Sequence, residues 1–464
     1  MIRASFNDGW QVRPKVNPFA ELSGHVVSFR PVTLPHDAMI EQPRTAPDGE
    51  VTMEGAAGAY FPGGVFEYRK TFSVPEEYRG KRIVVEFEGV YRDATVYING
   101  DYAGQRPYGY SRFRVDADRF LRFGEDNEIR VEARAHRDSR WYTGAGIYRD
   151  TWLLVGEVVR IVPDGVRVTT PDIDGSRAVV EVATEVANDS IEVRTIPVVT
   201  EIRDASGAVV ASDVSKVTVL PGEPGTVRQR LYVSAPALWS PEAPSLYDCH
   251  VALGDVDEET VTFGIRTLQL DPEHGLRVNG ETVNLRGACV HHDNGVLGAA
   301  TYARAEERRV EILKEAGFNA IRISHQPMGK AMLDACDRLG MLVVDETFDV
   351  WTSGKSEFDY SLSFPEWWER DIEAMVAKDV NHPSVIMYSI GNEIPRPARP
   401  SARSGDAGSP RRSAPWTPRV TSPTPSTACS PSCPSWAPSS SRRWSRPRRT
   451  ASASTASWPT RATR

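Results

Sequence analysis

Two neighbouring residues, Asn392-Glu393, close the apolar run Val385-Ile386-Met387-Tyr388-Ser389-Ile390-Gly391. A carboxyl group at the C-terminal tip of a buried strand is well placed to hand a proton to a bound substrate. Similar polar residues recur where other short apolar runs end. Cys289 to Asp293 follow one run and include His291 and His292; Arg322 to Pro327 follow the next and include His325; Asp345, Glu346 and Trp351 follow a third. His, Arg, Trp, Asn and Glu together suit sugar recognition, because an aromatic face covers the apolar side of a pyranose and polar groups hold its hydroxyls. After Glu393 this chemistry stops. From about Arg396 the chain is dominated by Pro, Ser, Arg, Thr, Ala and scattered Trp, with no Glu and with Asp406 as its only acid.

The elements that must position these groups alternate in type. Val283 to Gly287 is predicted as a short strand, and Tyr302 to Ala316 as a helix with Val310, Leu313, Ala316 and nearby Ile312 on an apolar stripe. Ala320 to Ile323 follows as a strand, then Lys330 to Leu339 as a helix using Met332, Leu333, Cys336 and Leu339. Leu342 to Asp345 is the third strand. Pro365 to Val380 is a helix with Trp368, Ile372, Met375 and Val376 on one side, and Val385 to Ile390 is the fourth strand. Near-continuous apolar strands separated by helices mean a parallel sheet. Four such steps are half of an eight-stranded barrel, which needs about 250 residues in all. The last segment has Val420 as its sole branched aliphatic residue and cannot supply four more strands, so 396–464 is expected to be disordered. Its lack of Lys, Leu, Ile, Phe and Glu is what reading GC-rich DNA out of frame would give, in contrast to a selected basic arm.

The N-terminal region reads as all-β. Phe66 to Phe72, Ile83 to Glu88, Ala94 to Ile98 and Glu128 to Ala133 alternate with period two between Gly, Asn and Asp. Asn99-Gly100 marks a hairpin, since a type I′ turn needs positive φ at both central residues. From about Arg160 to Ile265 a second β stretch, divided by Ala235 to Pro241, suits a small immunoglobulin-like sandwich.

Bulk composition narrows the classes. With 464 residues, 40% hydrophobic and 25% charged, the chain has material for about three folded domains. The formal charge is −7; the last segment carries about +12, so the rest is strongly acidic, which argues against a nucleic-acid surface on the folded part. Cys249, Cys289, Cys336, Cys429 and Cys433 show no metal-finger spacing. Cys289 and Cys336 are expected as buried free thiols. No apolar leader follows Met1 and no run reaches membrane-spanning length, so a cytoplasmic protein with no membrane partner is expected.

Here a resemblance becomes specific. Asp379-Val380-Asn381-His382-Pro383-Ser384-Val385-Ile386-Met387-Tyr388-Ser389-Ile390-Gly391-Asn392-Glu393 resembles the acid/base signature of glycoside hydrolase family 2, with Tyr388 where many members have Trp. Asn319 to Pro327 resembles the second family signature, with Gln326 in place of the common Tyr. Val32 to Asp37 and Trp141 to Arg149 are similar to the family's jelly-roll domain. The resemblance covers roughly residues 1 to 395. It implies a jelly-roll β-sandwich over 1–157, an immunoglobulin-like β-sandwich over 158–265 and the first half of a (β/α)8 TIM barrel over 266–395.

It also implies retaining hydrolysis of a terminal β-glycoside through two carboxylates about 5–5.5 Å apart. Glu393 matches the acid/base, and Asn392 the residue that bonds the sugar 2-hydroxyl. The family nucleophile, a Glu at the end of strand seven, has no counterpart, because no Glu follows Glu393. The expectation is a β-galactosidase-like glycosidase, inactive as this chain. The alternative is a non-catalytic carbohydrate-binding sandwich protein. Arg322 and His325 are expected near the substrate, or as a structural pair under the rim. Adjacent His291 and His292 point opposite ways in a strand, so a shared metal is disfavoured; His292 and Asp293 are expected to face the sugar. Trp351 is open between sugar platform and rim packing, and Trp141-Tyr142 is read as sandwich core or interface. Magnesium is brought in only by family resemblance, without evident matching ligands after strand three. For the full-length family member the resemblance allows a homo-oligomer.

Overall fold

The computed structural model describes residues 1–394, apart from 18, 20, 21, 25, 26, 45–57 and 137. The segment 396–464, with Cys429 and Cys433, lies outside the described residues.

Two antiparallel sheets face each other in the N-terminal sandwich. One orders Ile2–Ser5, Thr151–Gly156, Arg82–Phe87 and Phe113–Asp116; the other orders Arg30–Val32, Trp10–Pro14, Gly64–Ser73, Asp126–Ala135, Ala94–Ile98 and Asp101–Arg106. Alternation explains the core: Ile83, Val85, Phe87, Val96, Ile98, Ile129 and Val131 all point inward and are buried. The Asn99-Gly100 turn is as expected, with φ of +53° and +90°. Its Asn99 side chain is tied to the Phe120 carbonyl at 2.9 Å and to the Glu128 amide at 3.0 Å.

The second sandwich packs a three-stranded sheet, Val159–Ile173, Arg177–Asn188 and Gly225–Ser234, with a four-stranded one, Val209–Val219, Arg194–Arg203, Tyr247–Leu253 and Asp257–Phe263. Val227, Gln229, Leu231 and Val233 are buried along Gly225–Ser234 while Arg228, Arg230 and Tyr232 between them are exposed, the period-two pattern of a strand with one wet face. Trp239, from the Pro-rich divider, is fully buried against Ala320 and Leu342, and its Nε1 donates to the Asp337 carbonyl at 2.9 Å. The divider is thus a plug between this sandwich and the base of the parallel sheet.

That sheet orders Gly287–Val290, Ala320–Ile323, Leu342–Glu346 and Val385–Ser389, all parallel. Helices Ala303–Glu315, Lys330–Leu339 and Phe364–Asp379 follow the first three strands. One expectation shifts: the first strand is four residues later than Val283 to Gly287, and Val283 and Leu285 instead pack with Trp239. A second expectation fails with it. Cys289 lies in the strand on its open face and is exposed, whereas Cys249 and Cys336 are buried. Strand alternation turns Cys289 away from the helices, to a side where Arg322 Nη1 reaches its Sγ at 3.8 Å. Ile312 and Ala316 are also exposed, so the first helix buries a narrower stripe, centred on Val310. The third helix leans elsewhere: Phe364, Trp368 and Ile372 join Phe348, Val350 and Tyr360 in the core of the N-terminal sandwich. Among the described residues no helix is long and apolar enough to cross a membrane.

Candidate active site

The C-terminal ends of the four parallel strands meet around Glu346. This residue ends the third strand and has no exposed side-chain surface. Arg322, from the second strand, donates from Nη2 to Glu346 Oε2 at 2.6 Å and from Nε to the same oxygen at 3.2 Å. His325 Nδ1 lies 2.7 Å from Glu346 Oε1, and Ser389 Oγ donates to Oε2 at 2.5 Å from the fourth strand. Burial alone would raise the Glu346 pKa, but the bonds from His325 and Ser389 and the Arg322 charge outweigh it and hold the carboxyl below its usual range.

Asn392 continues this network. Its Oδ1 accepts from Arg322 Nη2 at 3.3 Å, and its Nδ2 donates to Asp349 Oδ1 at 2.8 Å. Asp349 also accepts from Lys355 Nζ at 3.0 Å and Arg140 Nη2 at 2.8 Å. Lys355 in turn donates to the Asn392 carbonyl at 2.7 Å, and the Asn392 amide bonds the Phe348 carbonyl at 2.9 Å. Buried Asn392 is therefore fixed through both backbone and amide. Glu393 differs. Its backbone has φ +46°, and its side chain is 72% exposed, with Oε2 3.8 Å from Arg140 Nη1. An exposed carboxyl, ion-paired with Arg140, stands beside a braced amide.

Sequence reasoning thus finds Arg322, His325, Asn392 and Glu393 in one neighbourhood. It misplaces His292. That residue is 1% exposed and turned toward the N-terminal sandwich, with Nε2 2.9 Å from the Thr143 carbonyl and Nδ1 3.3 Å from Gln326 Nε2. Burial, against the opposing pull of that carbonyl, pushes its pKa down to about 3, so the ring is neutral and held on both nitrogens. His291 instead joins the rim, its ring 5.6 Å from that of His325. The two do point apart, but the first strand ends at Val290, and the loop beyond it settles which one turns inward. Neighbouring Asp293 is half-buried. Trp351 packs: Nε1 donates to the Ile390 carbonyl at 3.0 Å and its ring stacks on Phe364 at 6.2 Å.

Arg140 was missed, and Trp141, read as sandwich core or interface, also stands against the rim histidines. Trp141 lies 5.2 Å from the His291 ring and 5.5 Å from that of His325, and Arg140 bridges Asp349 and Glu393. Sandwich groups also hold the barrel loops by their carbonyls. Tyr108 donates to Thr347, Arg149 to Pro327 at 2.9 Å, and Arg92 to Phe358 at 2.6 Å. No local signal in the sequence pairs these residues.

One group of described residues brings metal-ligating atoms together: Asp334, Asp337 and His382, within 4.8 Å of one another. It does not fit magnesium. His382 Nδ1 lies 2.5 Å from Asp337 Oδ2, the Ser384 amide bonds Asp337 Oδ1 at 3.0 Å, and Lys330 Nζ bonds Asp334 at 2.6 Å. Magnesium needs an octahedral oxygen shell at 2.0–2.1 Å, and these oxygens already have proton donors.

The architecture is two β-sandwiches feeding a parallel β/α sheet with a Glu at a strand tip. Three family profiles match in order: the sugar binding domain of glycosyl hydrolases family 2 at 51–157, the family 2 domain at 159–266 and the family 2 TIM barrel domain at 272–404. The chain is 40% identical over 402 residues to Beta-galactosidase BoGH2A of Bacteroides ovatus, covering 84% of this chain and 46% of that protein. It is 34% identical to a putative beta-glucuronidase of Formosa agariphila, covering 84% of this chain and 37% of that protein. A solved family 2 member from Bacteroides cellulosilyticus superposes with a TM-score of 0.81 at 40% identity, over 85% of this chain and 52% of that one. The chain belongs to glycosyl hydrolase family 2. It spans about half the length, or less, of these relatives.

Proposed function

We propose that this chain carries the acid/base half of a retaining β-glycosidase site, directed at terminal β-galactosides, with β-glucuronides as the competing substrate class. The observation that supports it most is the Glu346 network, which braces Asn392 while the neighbouring Glu393 carboxyl stays exposed beside Arg140. In this reading Glu393 protonates the leaving oxygen and later deprotonates water. Asn392 offers its second amide hydrogen to the sugar 2-hydroxyl. Arg322 and His325 line the glycone side. The relatives' names include both beta-galactosidase and beta-glucuronidase, and the higher identity belongs to the former.

The second carboxylate is the weak point. Glu346 has both oxygens taken by Arg322, His325 and Ser389, and Asp349 is held by Asn392, Lys355 and Arg140. Neither is free to attack an anomeric carbon, and no Glu follows Glu393. The 464-residue chain alone therefore does not turn over substrate. Purified chain incubated with nitrophenyl β-D-galactoside and β-D-glucuronide should release nitrophenol at the background rate. It should still bind a galactose-type iminosugar, less tightly once Arg322→Ala is made. Measurable turnover would overturn the assignment of a missing nucleophile, and undetectable binding would overturn the site itself.

A further inference from the structure

We propose that the small cavity at the seam between the N-terminal sandwich and the helix Lys330–Leu339 binds a single halide ion, chloride in solution, held by Arg149 and the start of that helix. The cavity measures about 10 Å³, room for one water-sized occupant, so a phosphate, sulfate or carboxylate does not fit. Its walls include Glu88, Arg112, Arg149, Gly329, Lys330 and Lys378, four cationic side chains to one acid. Glu88 Oε1 is already taken by Trp152 Nε1 at 2.8 Å and Arg3 Nη2 at 3.2 Å. Burial, with Asp150 and Glu86 nearby, pushes its pKa up and so weakens its negative charge.

Three of the cations have carboxylate partners: Arg112 with Asp164, Lys330 with Asp334 and Lys378 with Asp379. Arg149 has none among the described residues, although only 2% of it is exposed. Its Nη1 donates to the Tyr110 and Glu88 carbonyls at 3.1 and 3.4 Å and its Nη2 to the Pro327 carbonyl at 2.9 Å, while Nε has no acceptor among the described residues. A buried guanidinium bonded to neutral carbonyls keeps its full charge, and a buried charge calls for a counter-charge. Gly329 brings that N–H to the cavity: Arg149 Nε is the atom nearest to where a Cβ on Gly329 would sit, at 3.4 Å. Gly329 is also the N-cap of the ten-residue helix Lys330–Leu339 and has no side chain with which to cap it. The first amides of the helix, at the positive end of its dipole, are left for another acceptor. An orphan guanidinium N–H and an uncapped helix start therefore meet at one residue, on a cavity of ionic size. An anion there neutralises Arg149 and ties the sandwich to the loop that carries His325 and Pro327.

The test is thermal unfolding of the intact chain in sodium chloride and in sodium gluconate at matched ionic strength, gluconate being too large for the cavity. Chloride should raise the midpoint saturably, by about 1–3 °C over gluconate, because only the folded chain holds the ion. Bromide should act as chloride does. Gly329→Ala puts a methyl group against Arg149 Nε, where the ion would sit, and the φ of −68° at this position suits alanine, so folding is kept. In that variant the chloride-specific rise should disappear, while any general salt effect stays. A second readout is the chloride NMR line, which should broaden with the unaltered chain, sharpen again on adding bromide, and stay sharp with Gly329→Ala. Equal midpoints in chloride and gluconate, or a chloride-specific rise that persists in Gly329→Ala, would show that the cavity holds only water and would overturn the site.

Discussion

At the end of the third barrel strand Glu346 accepts from Arg322, His325 and Ser389 while being closed to solvent. Its carboxyl is held below the usual Glu value of about 4.3. A depressed folded-state pKa contributes stability that is present above that usual value and is lost as pH falls through the folded one. Glu346→Gln should therefore lower unfolding stability at pH 7 by about 1–3 kcal/mol, toward the lower end because Arg322 is partly exposed. The gap from the unaltered chain should narrow as pH falls below about 4, through the folded-state value. Urea unfolding at pH 7 and at about pH 3 measures it, and a pH-independent gap would contradict the assigned ionisation. Glu346 was visible in the sequence as a strand-end acid, but its role as the hub was not. That depends on three partners from two other strands and a loop, brought together by parallel register.

Elements were legible where the local pattern had only one solution. Ala320–Ile323 and Lys330–Leu339 match expectation residue for residue, because a short β-branched run and a 3.6-residue stripe each point one way. The end of that helix shows what local reading leaves out. Gly340 has φ +71°, the left-handed cap a helix C-terminus favours, and a Cβ there would sit 2.3 Å from the Pro241 carbonyl of the divider. Lys314 Nζ bonds the same two carbonyls, Pro241 at 3.1 Å and Gly340 at 3.2 Å. Gly340→Ala should cost more than about 1 kcal/mol, since a positive φ and a backbone overlap both oppose the methyl group. A melting temperature equal to that of the unaltered chain would show that the divider is not packed so tightly there.

At the scale of the molecule, the N-terminal sandwich acts as a second support for the barrel rim. Asp37 is its anchor. The carboxyl accepts from the Met39 and Ala145 amides at 2.9 and 3.0 Å within the sandwich, from Tyr142 Oη at 2.6 Å, and from the Ala299 amide of the first barrel loop at 2.8 Å. Asp37→Ala strands four buried or partly buried donors, and leaving such groups unsatisfied costs about 1–3 kcal/mol each before relaxation. The expected net loss is about 2–4 kcal/mol. Hydrogen exchange should speed up around residues 295–301 more than in the second sandwich. If only the residues flanking position 37 exchange faster, the anchor does not reach the barrel.

The sequence by itself determined the two β regions, the strand-helix alternation, and the strand tips that carry Arg322, His325, Asn392 and Glu393. Those features follow from periodicity and motif, which are local. Only the tertiary structure decided that His291 and not His292 turns to the rim, that Cys289 is exposed, and that Arg140 and Trp141 join residues from His291 to Glu393 far along the chain. A one-residue difference in where a strand ends reverses the side a neighbour faces, and docking between domains leaves no period in the sequence.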